Sequence, residues 1–139
     1  MLRSRTLQIS IACSPQRVYD YVADPTHLPH WAPGLCLAIR PDGDHWLLTT
    51  PQGELTFRFA APNALGVLDH FVGTPSGEIH VPMRVIANGT GSELLFTLFQ
   101  QPGMSEADFT ADAALVEQDL LWLKSLLESA PNPSNQYVM

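Results

Sequence analysis

A chain of 139 residues, 45% hydrophobic and only 15% charged, is long enough to bury one sizeable core without disulfide or metal staples. Its net charge of -7 sets 14 acidic residues against 7 scattered Lys and Arg, which excludes the clustered positive charge that nucleic-acid phosphates require. No apolar run approaches the ~18 residues of a membrane span, and Cys13 and Cys36 lack CxxC spacing, so both read as reduced thiols of a cytoplasmic protein.

Taken in chain order, Leu7, Ile9 and Ile11 alternate with Gln8, Ser10 and Ala12, the period-two signature of a half-buried strand. Arg3 and Arg5 ahead of it give a superficial likeness to a secretory leader, but the apolar part is too short and alternates. Ser14 and Pro15 predict a helix start, with the hydroxyl as cap and the proline where its missing N–H costs nothing. Val18, Tyr19 and Val22 share one side of that helix. Asp24-Pro25 ends it and opens a second short helix, which Pro29 and Pro33 stop.

From Leu35 to Gln101 the pattern is six short strands, carried by LCLAI, HWLLTT, ELTFRF, LGVLDHFVG, EIHVPMRVIA and SELLFTLFQ. Asn88-Gly89 is the strongest hairpin signal. A long helix follows, with Ser105 and Asp108 as a weak capping box and Phe109, Ala113, Val116, Leu120, Leu123 and Leu127 at alternating spacings of 4 and 3. Residues 1–129 read as one domain and residues 130–139, polar and Pro-broken, as a disordered tail.

Pairing the hairpins assigns the two faces. A two-residue turn at Asn88-Gly89 sets Met83 opposite Leu94, Val81 opposite Phe96 and Ile79 opposite Leu98, with Arg84 and Glu93 paired on the other face. A turn at Gln52-Gly53 groups Trp46, Leu48, Leu55, Phe57 and Phe59. His70 joins the inward face with Leu68, Val72, Val81 and Met83. A one-residue slip would turn it out and bring Asp69 in. The expected architecture is α+β: one seven-stranded, curved antiparallel sheet wrapped around the C-terminal helix, with two short helices after the first strand. A strongly curved sheet is not filled by one helix along its whole length. A cavity is therefore expected near one end, with SPQRVYDYVADPTHLPHWAPG as its wall and mouth.

That segment, together with GVLDHFV, VPMRVIANGTGSELLFTLFQQPGMS and DLLWLKSLLES, resembles the SRPBCC, or START-like, polyketide cyclase/dehydrase superfamily, in one of its bacterial subgroups. The resemblance covers roughly residues 5–129. It implies a helix-grip fold with a deep hydrophobic cavity between sheet and C-terminal helix. It does not imply one function, because the superfamily includes lipid carriers, plant-hormone binders and aromatic cyclases.

The candidate ligand-binding residues are Trp31 as a lid over the mouth, Trp46, Phe57 and Phe59 from the early hairpin, Val81, Met83 and Phe96 from the late one, Leu120 from the helix, and His70. The candidate catalytic residues are His70, Asp112 and Asp119. An imidazole in an apolar pocket orients a carbonyl or moves a proton, although such a histidine is more often a satisfied core residue. Asp112 and Asp119, seven apart, share one side of the long helix, where carboxylates more often solvate a packed edge. His27 and His30 lack a third ligand, so no metal is expected. No cofactor is expected either, since no GxSxG, P-loop, HExxH or dinucleotide fingerprint occurs.

Ile86, Leu95 and Phe99 point outward and suggest a homodimer. The leading functional expectation is a carrier or sensor that binds a small hydrophobic or amphipathic molecule. The alternatives are a cofactor-independent cyclase or dehydratase, and a dimerising interaction module with a vestigial cavity.

Overall fold

The computed structural model describes residues 1–129, so the tail expected at 130–139 lies outside the described residues. Strand β1 (Ser4–Ile11) leads into helix α1 (Pro15–Val22), a 3-10 turn (Pro25–His27) and the short helix α2 (Leu28–Trp31). The local chemistry is what the sequence offers. Ser14 Oγ accepts the Arg17 amide at 3.2 Å, Asp24 caps the 3-10 turn through the Thr26 amide at 3.0 Å, and Val18 and Val22 are fully buried. His27 is absorbed here too, stacked on Tyr21 at 4.2 Å with Nδ1 on the Tyr21 carbonyl at 2.7 Å.

Strands β2 (Ala38–Asp42), β3 (His45–Thr50), β4 (Gly53–Phe59), β5 (His70–Thr74), β6 (Gly77–Val81), β7 (Met83–Asn88) and β8 (Gly91–Phe99) follow, and helix α3 (Glu106–Ser129) closes the described chain. Ser105 Oγ accepts the Asp108 amide at 3.0 Å at the start of α3. Phe109, Ala113, Leu120, Leu123 and Leu127 form its buried stripe. Among the described residues no helix is long and apolar enough to cross a membrane.

The α+β architecture with antiparallel strands and a long C-terminal helix is as expected, but the single seven-stranded sheet is not. Among the described residues eight strands form two sheets, ordered β1-β8-β7 and β2-β3-β4-β5-β6. The division falls at Pro82, where the expected strand EIHVPMRVIA splits into β6 and β7. Proline has no N–H to give a ladder, so a run containing it breaks or bends there. Its carbonyl still accepts the Thr97 amide at 2.9 Å, which keeps the corner attached to β8.

Asp69 braces that corner from outside. Its carboxylate accepts the Met83 amide at 3.0 Å, Arg84 Nε at 3.1 Å and Nη2 at 3.3 Å, and His80 Nε2 at 2.9 Å. Burial alone would raise this carboxyl; the hydrogen bonds from Arg84, Met83 and His80, with the Arg84 charge, hold it at about 2. Its contribution is therefore full above pH 3.8 and is lost as pH falls toward 2. Asp69→Asn is expected to cost about 2 kcal/mol near neutrality. A urea midpoint unchanged from wild type would show that the corner does not depend on the charge.

Both hairpin registers differ from expectation by two residues. The late turn is Gly89-Thr90, with Asn88 paired to Gly91, so Met83 faces Phe96 and Val85 faces Leu94. Only Gly89, at φ 59°, takes positive φ there, which fits a turn needing glycine at its first central position rather than Asn-Gly at both. Arg84 consequently faces Leu95, not Glu93, and is free to reach Asp69. The early hairpin pairs Thr50 with Gly53, so Trp46 faces Phe57. A slip of two preserves every face assignment.

The expected strand at LCLAI begins only at Ala38, because the Leu35 and Cys36 amides turn back to the Ala32 carbonyl. Of the three outward apolar residues, Ile86 is exposed and Leu95 is half-buried, while Phe99, at the end of β8, lines the internal cavity.

Candidate functional site

A partly open cavity of about 250 Å³ lies between α2, α3 and the inner face of the strands. Leu28 and Trp31 supply the α2 wall, Leu55, Val72, Ile79 and Val81 the sheet wall, and Phe96 and Leu98 the contribution of β8. Helix α3 adds Asp112, Val116 and Asp119. The cavity runs into a groove of about 700 Å³ between the β5–β6 turn and residues 101–104, and the two share Thr74, Ile79, Gln101, Met104 and Asp112.

The mouth therefore lies at the N-terminal end of α3, not under Trp31. Trp31 is 3% exposed and forms a sealed wall, so the expected lid at this position is corrected. The α2 end is held shut by Trp122, whose Nε1 donates to the His30 carbonyl at 2.8 Å.

Trp31, His70, Val81, Phe96, Asp112 and Asp119 all line the one cavity. The remaining sequence candidates do not. Trp46 and Phe59 line a separate cleft of about 280 Å³ with Tyr19 and Arg58, because they sit toward the end of the sheet that faces α1. Phe57, Met83 and Leu120 are packed core, at 1%, 1% and 2% exposure. Phe57 backs the His70 ring at 5.3 Å, Met83 lies past the Pro82 corner in the other sheet, and Leu120 is about 100° around α3 from Asp119. Leu55, Ile79 and Leu98 were legible as inward-facing residues but not as cavity wall. Gln101 and Met104, in a connection without periodic pattern, carried no signal.

His70, not Asp69, faces the cavity. It is 4% exposed and sits among the rings of Phe57, Phe59 and Phe96, at centroid distances of 5.3, 5.8 and 5.6 Å. Its Nδ1 lies 3.2 Å from the Leu68 carbonyl. A carbonyl only accepts, so Nδ1 carries the hydrogen and Nε2 is left as a bare acceptor. Burial pushes His70 down to about 4, against the opposing pull of the Leu68 carbonyl and the Asp69 charge. The ring is thus neutral near physiological pH.

Asp119 is 8% exposed, and its carboxylate lies against Gly34, where any Cβ would come within 3.3 Å of Oδ2. Burial pushes it up to about 6, with the Gly34 amide acting in the opposite sense. Asp112 is also raised, first by burial and then by the charge of Asp108. No Lys or Arg lines the cavity. The Trp31 Nε1–H is buried with no hydrogen-bond partner. Among the described residues no group of three or more His, Cys, Asp or Glu is placed to hold a metal.

Chemically, the wall is an apolar surface interrupted by Trp31 and the neutral His70, by the carboxyls of Asp112 and Asp119, and by Thr74, His80 and Gln101 toward the mouth. It can bind and orient a small molecule, and Asp119 can take or release a proton near neutrality.

No protein-family model matches the chain, and no curated protein matches it. Solved structures do. Protein XoxI from Bacillus cereus superposes with a TM-score of 0.74 at 15% identity, over 92% of this chain and 97% of that one. The Aha1 dimer from Colwellia psychrerythraea gives 0.72 at 16% identity, over 94% and 100%. A START superfamily protein from Mycobacterium smegmatis gives 0.68 at 15% identity, over 90% and 97%. At such identities the likeness is one of fold, and it is a START-like fold that the chain shares with these structures.

Proposed function

We propose that the protein binds a small hydrophobic or amphipathic molecule in the cavity between the sheets and α3, as a carrier or sensor. The observation that carries this reading is a mostly apolar wall that includes Trp31, whose buried Nε1 has no hydrogen-bond partner among the described residues. A dry void of about 250 Å³ would cost about 6 kcal/mol by cavity-mutant scaling, comparable with the whole stability of a domain. The space is open at its mouth and so holds water or a ligand, and an apolar ligand suits its mostly apolar wall better than water does.

The test is native mass spectrometry of freshly purified protein, read beside binding of the neutral solvatochromic dye prodan. A small-molecule adduct lost on denaturation, or dye binding abolished by the cavity-filling Val116→Trp, is the expected result. A bare protein mass together with no dye response would overturn the reading.

One observation favours a second reading, in which the cavity is the active site of a cofactor-independent cyclase or dehydratase. A neutral imidazole and a carboxyl titrating near neutrality line the same space. In that case His70→Ala abolishes turnover of a polyketide-type substrate while the fold survives. Unchanged kinetics would discard the reading.

A further inference from the structure

The cavity and its mouth share one electrostatic feature. The wall holds Asp112 and Asp119, and the groove outside it adds Glu78 and Asp108, yet no Lys or Arg lines either space. Glu78 is spoken for by Arg58, at 3.2 Å on the outer surface. Asp119 is otherwise: a carboxyl at 8% exposure whose only hydrogen-bond help is the Gly34 amide. Buried carboxylates are normally paired with a cation, yet among the described residues no Lys or Arg lines this wall and His80 is engaged by Asp69 at 2.9 Å.

Two further groups in the same wall point to a ligand rather than to a surface cluster. His70 Nε2 is an acceptor whose tautomer is set by Leu68 and which takes no hydrogen bond among the described residues, while Trp31 Nε1 is a buried donor without an acceptor, which an ammonium does not answer and a second, accepting atom of the ligand would. Both residues are more than nine-tenths buried.

Building on the cavity-binding reading, we infer that the ligand class is a small apolar molecule carrying a protonated amine, with the ammonium held at Asp119 and apolar carboxylates rejected. Asp112, two helical turns or about 10 Å nearer the mouth, draws the cation inward. An ammonium offers three hydrogens, which suits a site holding both a carboxylate and a bare imidazole nitrogen. The inner part of the site, about 250 Å³, suits an apolar body of about one or two rings.

The experiment is displacement of prodan at neutral pH by three matched compounds: phenethylamine, phenethyl alcohol and phenylacetate. The expected order is amine, then alcohol, then carboxylate, with the amine at least about ten-fold tighter than phenylacetate. Asp119→Asn is expected to bring amine and alcohol to within about two-fold of each other while prodan still binds; Asp112→Asn should weaken the amine less. Prodan binding with no preference among the three, or a preference untouched by Asp119→Asn, overturns the amine assignment and leaves the cavity reading standing. Failure of prodan itself to bind overturns both.

Discussion

Asp119→Asn makes the protein more stable at neutral pH, by up to about 3 kcal/mol. The expectation follows from a carboxyl raised from 3.8 to about 6 by burial beside α2. A group whose folded pKa lies above its unfolded value contributes stability that is full below pH 3.8 and is lost as pH rises through 6. Above that point the wild-type fold carries an ionised carboxylate with only the Gly34 amide to compensate it. Asparagine keeps the size and an oxygen to accept that amide, and it removes the charge. Urea unfolding near pH 8 should show the gain, and the same measurement near pH 4 should show almost none. A destabilised variant near pH 8 would mean that the carboxylate is paired in solution after all.

His70→Phe has the opposite signature. The imidazole is lowered from 6.5 to about 4, first by burial. As pH falls through 6.5 the unfolded chain takes up a proton that the folded chain refuses, so the wild type loses about 3 kcal/mol from this group by pH 4. Phenylalanine fits the aromatic surroundings of Phe57, Phe59 and Phe96 and cannot titrate. Between pH 4 and 6 the two groups slope in opposite directions and largely cancel in the wild type. Stability should therefore rise toward acid in His70→Phe and fall toward acid in Asp119→Asn. Parallel pH profiles for all three proteins would remove the burial argument for both residues.

Much of the fold was legible because it rests on local chemistry. The Ser14-Pro15 helix start, the β1 alternation and the α3 stripe each depend on residues within a few positions of one another. The inward placement of His70 was legible too, since parity along a strand survives a register error of two. What escaped was the Pro82 corner, although a proline within an apolar run is itself the warning. The site was read in part for a related reason. Trp46, Phe57, Phe59, Met83 and Leu120 share the inward faces with the true wall, but facing inward does not distinguish packed core from cavity lining.

The amino-acid order by itself determined the elements, their faces and the class of fold, because caps, turns and periodicity are short-range. Only the tertiary structure decided where the sheets part, where the cavity opens, and that Asp119, Trp31 and His70 line it together. Those outcomes depend on how α2, α3 and the two sheets exclude water from one another, which no single segment encodes.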